Sequence, residues 1–368
     1  VKLGYKVHIF TSNSSHLTDS LPKFKGWYFT EFIDEIKTTW INLLSSNKSN
    51  GINRIISWVL FEFKLLLFNK NKEHNPDIII VSSLSLLSIW SGIFFSWRYN
   101  AKFILEIRDI WPKSLLVLGN YSKYNPFILF LSLTERLGYK FAHKIVGTMP
   151  NLVEHVKKIN NKYASKVICI PQCYDEEFYN NNQNKISNDY INKLNNENFK
   201  VCYIGTMNKN NPIEALLQSA INQDFEVIIL GRGSQKEMLK KKYSIYSNIK
   251  FLDSINKNQV NDFLSYVDIC YDSIDTELGK YGLSRNKWID YMMAGKPILC
   301  SYNGFQSMIN EAKSGYFVPF SDVDMLRKKI YKLKNDKELL LELGKNATEW
   351  INLNRSSKTI SELYSILF

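Results

Sequence analysis

At 368 residues the chain exceeds the size at which one hydrophobic core stops growing, and 45% apolar residues is ordinary for a globular protein, so two domains are expected. A formal net charge of +12 permits an anionic partner, whether nucleic acid, membrane surface or phosphorylated substrate, and does not choose among them; the abundance of Asn, Lys and Ile throughout also fits plain compositional bias. Cys169, Cys173, Cys202, Cys270 and Cys300 lack zinc-type spacing and lie mostly in apolar runs, the pattern of buried thiols in a reducing compartment.

In chain order, residues 1–10 read as the last turn of a helix closed by Gly4 and followed at once by a strand. A doubly wound domain does not begin there, so an upstream strand, its loop and most of a first helix, about 25 residues, are expected to be missing from the start. The apolar stretches 55–68 and 78–97 fall short of the ~20 clean apolar residues of a spanning helix: the first carries Glu62 and Lys64, and the second is interrupted by serines. Their Trp, Phe and Leu, flanked by Lys and Arg, suit a cytosolic protein that touches a membrane surface. Core helices of an α/β domain are the alternative.

Strands are predicted at 6–11, 77–82, 102–107, 144–148 and 166–170, alternating with helical stretches as in a parallel sheet wrapped by helices. The Asn-rich segment 175–199 reads as a linker. Strands at 200–205, 225–230, 249–254, 267–272, 296–300 and 315–319 follow, with helices at 212–221, 234–243, 257–265, 284–294 and 322–350. The expected organisation is an α/β chain of two doubly wound domains, 1–174 and 200–350, with 351–368 as a C-terminal helix able to cross back to the first.

Ligands of open parallel sheets bind beyond the carboxyl ends of strands, which directs attention to three loops. In 106-EIRDIWP-112 a buried strand runs into Arg108 and Asp109, a salt bridge or a functional pair of charges. The loop 231-GRGS-234 places Gly231, Arg232 and Gly233 between strand and helix, where glycines let backbone amides approach a phosphate, although a plain tight turn would look the same. The similar 205-GTMNKNNP-212 offers Gly205, Thr206 and the cation Lys209. The third loop, 282-GLSRNKWIDYMMAGKPILC-300, carries the most: Ser284 is placed as N-cap, so the amides of Arg285, Asn286 and Lys287 and the positive helix end can receive a diphosphate. Lys287 adds a full charge, and Asp290, one turn on, is suited to accept hydrogen bonds from a ribose diol. The acidic run 272-DSIDTE-277 reads as solvated loop rather than metal site.

The segment 281-YGLSRNKWIDYMMAGKPIL-299 resembles the donor-binding signature of retaining glycosyltransferase family 4, and 106-EIRDIWPKSL-115 resembles the Asp-hydrophobic-Trp-Pro segment of its O-antigen and capsule branch, which includes the N-acetyl-L-fucosamine transferases. The segments 147–156 and 248–269 fit as well. The resemblance implies a GT-B fold of two Rossmann-like domains facing a cleft. It further implies a UDP-linked sugar donor, retention of configuration, a lipid-linked saccharide acceptor, no cofactor or metal, no nucleic-acid partner, and a cytoplasmic location on the inner face of the cell membrane. Asp109 and Arg108 take the catalytic places, Asp109 toward the acceptor or the oxocarbenium-like centre and Arg108 toward acceptor phosphate. Departures matter: Gly282 stands where the family's first glutamate is common and Asp290 where the second is, Arg108 replaces a histidine, Gln172 an asparagine and Arg285 a proline, and the first loop of the second domain offers only Lys209. They keep open a noncatalytic homologue that binds a sugar nucleotide or a partner enzyme.

Overall fold

The computed structural model describes residues 1, 4–14, 21–43, 51–68, 75–83, 85–119, 121–181, 183–209, 211–275 and 277–367. The chain divides into two compact units, Val1–Ile145 and Val146–Phe368.

The first unit runs β1 (His8–Ser12), β2 (Tyr28–Ile33), β3 (Ile36–Ile41), α1 (Gly51–Phe68), β4 (Ile78–Ser82), α2 (Ser88–Tyr99), β5 (Lys102–Ile107), α3 (Lys113–Leu118), α4 (Pro126–Phe141) and β6 (Lys144–Gly147), the strand in which the division falls. β1 pairs in parallel with β3, and β2 returns antiparallel to β3. This hairpin is absent from the sequence reading: its two-residue turn is Asp34-Glu35, both at positive φ, rather than the glycine-containing pair that announces such turns. β4 and β5 pair in parallel from Ile78 with Lys102 to Ser82 with Glu106. Phe103, Ile104, Leu105 and Ile107 are all buried, as in a strand covered on both faces.

Helices α2 and α4 approach this sheet closely because two glycines allow it. A Cβ at Gly92 would strike Val81 and Phe103, and one at Gly138 would strike Ile89 and Leu105. α4 starts sharply where the Asn125 side chain accepts the Phe127 amide and Pro126 fills the first turn. The two charges that interrupt the first apolar stretch turn inward. Glu62 is buried and accepts hydrogen bonds from the Ser88 and Ser91 hydroxyls of α2, while the Lys64 ammonium donates to the Asn42 carbonyl. No helix among the described residues is long and apolar enough to cross a membrane.

The second unit continues with α5 (Leu152–Ile159), β7 (Val167–Cys169), α6 (Glu176–Asn181), α7 (Asn188–Leu194), β8 (Lys200–Ile204), α8 (Glu214–Ser219), β9 (Glu226–Leu230), α9 (Lys236–Tyr243), β10 (Ile249–Leu252), α10 (Val260–Leu264), β11 (Ile269–Ile274), α11 (Asn286–Met293), β12 (Ile298–Tyr302), β13 (Gly315–Val318), α12 (Val323–Asn335), α13 (Lys337–Arg355) and α14 (Ser357–Ser365). Its sheet has six strands in the order β10-β9-β8-β11-β12-β13, all parallel. Every residue of β9, β11 and β12 is buried. The Asn-rich segment 175–199 carries α6 and α7, and Ile186 and Leu194 are buried in this unit's core. The single helix expected over 322–350 is two, because Asp336 leaves helical geometry and its carboxylate caps α13 by accepting the Leu339 amide.

Burial pushes the Glu62 carboxyl above the usual carboxylate range, outweighing the two serine hydrogen bonds that lower it. The fold therefore prefers the neutral acid. Its contribution to stability is full below the ordinary glutamate pKa and is lost as pH rises through the folded value. In urea unfolding followed by tryptophan fluorescence, wild-type protein should lose more stability than Glu62→Gln between about pH 5 and about pH 8; equal pH slopes would show that Glu62 is not held neutral.

Candidate active site

In the second unit's sheet the strand order runs outward in both directions from the β8/β11 pair, so the crevice at their carboxyl ends is the place where an open parallel sheet receives a ligand. β8 and β11 are in register over only two pairs, Val201 with Ile269 and Cys202 with Cys270. At this point stands Asp272, on β11 and 0% exposed.

Five donors surround its carboxylate. The Arg285 Nε donates to Oδ2 at 3.1 Å and its Nη2 to Oδ1 at 3.3 Å; the Lys287 Nζ reaches Oδ1 at 3.1 Å, the Trp288 indole Nε1 reaches Oδ2 at 2.9 Å, and the Ser273 amide donates to Oδ1 at 3.0 Å. Arg285 spends a further N–H on the Asn211 side chain at 2.8 Å. Lys287 rests on the ring of Tyr203 from β8, with Nζ 4.1 Å from the centroid, and the Tyr203 hydroxyl donates to the Thr206 carbonyl. Burial alone would raise the Asp272 carboxyl, but Lys287, Arg285 and their hydrogen bonds hold it below the usual carboxylate range. Burial pushes the Lys287 ammonium down against the pull of Asp272, with Arg285 adding to the depression. Two cations on one carboxylate leave a net positive charge at the entrance of α11, where the helix end is itself positive.

Each expected donor residue has a definite place. Ser284 is not the N-cap: Arg285 holds that position in extended geometry and no side chain caps the helix, because the chain is still in its loop at Ser284 and α11 begins at Asn286. Arg285 and Lys287 converge on Asp272 while Asn286, between them, is exposed. Gly205, Gly231 and Gly233 have φ of +150°, +144° and +149°. A Cβ at Gly231 would collide with the Gly205 carbonyl and one at Gly233 with that of Met207. The loops after β8 and β9 therefore pack backbone on backbone, joined by the Met207 amide on the Arg232 carbonyl at 2.9 Å. Thr206, Lys209 and Arg232 are exposed on this pair of loops. Asp290 is engaged within the protein: the Tyr179 hydroxyl and the Lys257 ammonium both donate to its Oδ1.

The expectation of a solvated loop for 272–277 fails at its first residue, since β11 extends through Ile274 and Asp272 is wholly buried. Asp272, Tyr203, Asn211, Tyr179 and Lys257 are missing from the sequence reading. One signal was present: a carboxylate inside the apolar strand 269-ICYDSI-274 needs cationic partners nearby.

In the first unit, Arg108 and Asp109 follow β5 and are both exposed. They do not form the alternative salt bridge. Arg108 Nη1 lies 3.9 Å from Glu106, and its amide donates to the Ser83 hydroxyl. The Asp109 carboxylate accepts the Trp111 indole N–H at 3.0 Å and the Ser114 hydroxyl. Trp111 packs edge-on against Trp58 of α1 at 5.4 Å.

Residues 184–350 match the family described as Glycosyl transferases group 1, so the chain carries a glycosyltransferase domain and is an enzyme of that class. No curated protein matches the chain. Among solved structures, sucrose-phosphate synthase from Thermosynechococcus elongatus is 18% identical with a TM-score of 0.74, over 100% of this chain and 90% of that one. Anabaena Alr3699/HepE in complex with UDP-glucose is 14% identical with a TM-score of 0.63, over 90% and 86%. A trehalose-6-phosphate structure from E. coli bound with UDP-2-fluoro glucose is 11% identical with a TM-score of 0.69, over 98% and 92%. These likenesses establish the fold, two Rossmann-like domains of the GT-B type.

Removing the charge of Asp272 would leave two cations beside an uncharged buried group. Asp272→Asn should destabilise the second unit by about 3–5 kcal/mol, read as a lower urea midpoint; an unchanged midpoint would mean the carboxylate does not organise the loop.

Proposed function

We propose that the chain is a retaining glycosyltransferase that moves a sugar from a UDP-linked donor to a lipid-linked saccharide in O-antigen or capsule synthesis, at the inner face of the cell membrane. The observation that carries the reading is the Arg285–Asp272–Lys287 cluster at the point where the sheet order reverses. Cleaving a glycosyl phosphate bond builds negative charge on the departing diphosphate and positive charge on the sugar ring, so a cation already desolvated and held in place stabilises the transition state more than it does the ground state. Asp272 does this holding. Lys287, with the first-turn amides of α11, faces the diphosphate; Gly205, Thr206, Lys209 and Gly231 to Gly233 form the strand-end loops beside it.

The UDP-linked assignment is supported by the solved likenesses whose ligands are UDP-glucose and UDP-2-fluoro glucose. The family resemblance of 106–115 and 281–299 supports the acceptor class, the pathway and the location. In this reading the first domain is the acceptor side, Asp109 orients the acceptor or steadies the oxocarbenium-like centre, and Arg108 binds acceptor phosphate. Asp290 receives the ribose hydroxyls once it exchanges Tyr179 or Lys257 for them.

A second reading, a noncatalytic sugar-nucleotide-binding homologue, is favoured by one observation. Gly282, in the place of the family's first glutamate, has φ +85° and its missing Cβ would strike Pro150. A side chain there is excluded. Mass spectrometry of products from a panel of UDP-, GDP- and dTDP-sugars with a lipid-linked acceptor decides between the two, since the noncatalytic protein yields neither transfer nor donor hydrolysis. Within the catalytic reading, Lys287→Ala should lower transfer ~10²-fold or more while the Arg285–Asp272 pair keeps the unit folded. Turnover at the wild-type level would remove Lys287 from the donor site.

A further inference from the structure

Three helices of the first unit, α1, α2 and α4, form a layer whose inner contacts are specific and whose outer side is apolar. α2 lies in the middle. It meets α1 through Ser88 and Ser91 on Glu62, and α4 through the Trp90 indole, which donates to Thr134 at 3.1 Å and stacks on Phe130 at 6.4 Å. On the outer side, α1 exposes Ile56, Val59, Phe63, Leu66 and Leu67, which fall within one ~100° stripe at helical spacing. α2 exposes Trp90, Phe94 and Trp97 at the same spacing, Trp97 being 80% exposed. α4 exposes Leu129, Phe130 and Leu133, with Phe141 two turns on.

The charges of this layer are sorted by sign. Glu62 is the only acidic residue of α1 and Glu135 the only one of α4; α2 has none. Both glutamates are buried, Glu62 on the serines and Glu135 on the Tyr139 hydroxyl. The exposed charges beside the stripes of α2 and α4 are cations, Arg98, Arg136 and Lys140. An outward side that combines aliphatic residues, tryptophan at its most exposed point and basic residues, with every carboxylate withdrawn, matches the acyl and phosphate levels of an anionic bilayer. A second copy of the chain fits it poorly, because a two-fold contact would set cations against cations.

We propose that the outer face of α1, α2 and α4 is the docking surface for an anionic lipid bilayer, with Phe63, Trp97 and Leu133 entering the interface and Arg98, Arg136 and Lys140 pairing with lipid phosphates. This rests on the membrane location proposed above and assigns it to one face of one unit.

The test uses the full chain and vesicles of equal parts phosphatidylglycerol and phosphatidylcholine, with phosphatidylcholine alone as the neutral control, read by co-sedimentation. Wild-type protein should bind the anionic vesicles and be released at about 0.5 M salt. The double variant Phe63→Ser/Trp97→Ser should bind about tenfold more weakly, as should Arg98→Glu/Lys140→Glu. Because these residues are exposed, circular dichroism should match wild type; should the serine variant misfold, the charge-reversed one still decides. Ile245→Ser, at an exposed apolar position of the second unit, should bind as wild type does. Wild-type binding that both double variants retain would overturn the face while leaving the membrane location intact. Absence of wild-type binding would overturn both. Wild-type protein that sediments as a dimer and becomes monomeric in the serine variant would make the face a self-interface and overturn the proposal.

Discussion

The buried carboxylate of Asp272 is the interaction on which the site depends. A charge with no exposure survives only if its hydrogen-bonding capacity is filled and its sign offset, and here Arg285, Lys287, Trp288 and the Ser273 amide fill it. The consequence runs outward from strand to loop to helix. Arg285 can be drawn in only if the chain before α11 stays extended, so the helix begins one residue later. Trp288, fully buried, then fixes the rotation of that helix against the sheet. Lys287 is held between the carboxylate and the Tyr203 ring at the helix entrance, the place the proposed function gives to the donor diphosphate.

Around this point the glycines act through space rather than through flexibility. The loops after β8 and β9 touch backbone to backbone at Gly205, Gly231 and Gly233, and the contact brings the ends of both strands to one level beside Lys287. The same economy of side chains appears in the first unit, where Gly92 and Gly138 seat two helices on the sheet. A residue with no side chain marks where two pieces of backbone, or a helix and a strand, must come close.

The first unit shows the complementary arrangement, with its helix-layer carboxylates inside and its cations and aromatic rings outside. Glu62 ties α1 to α2 through two serine hydroxyls, Glu135 accepts the Tyr139 hydroxyl one turn on within α4, and the withdrawal of both leaves an outward side of one sign. On the proposed function, in which the acceptor is lipid-linked, the helix layer that covers the sheet would also hold the enzyme at the surface where that acceptor resides.

Much of the fold was legible in order and period. The alternation of apolar strands with amphipathic stretches gave the parallel sheet of the second unit almost strand for strand, because strands buried on both faces are near-continuous apolar runs that no exposed element imitates. The β2–β3 hairpin escaped because its turn uses Asp34 and Glu35 at positive φ, a conformation their identities do not announce. The break at Asp336 was hidden in a helical pattern, since one capping aspartate looks like any surface acid. At the site, the sequence alone placed Lys287 by its charge and Arg285 by its amide at a helix entrance, through the expectation of an N-cap at Ser284. Their common partner Asp272 lies 13 residues before Arg285, on β11; its place in an apolar strand signals a need for cations, but local pattern does not say which cations those are. Likewise Asp290 was visible as an acceptor, whereas its engagement by Tyr179 and Lys257, 111 and 33 residues away, exists only through tertiary packing. Sequence determines which side chains can do chemistry and at which element ends they stand; the tertiary structure decides which are desolvated and paired, because burial and charge neutralisation are properties of neighbours distant along the chain.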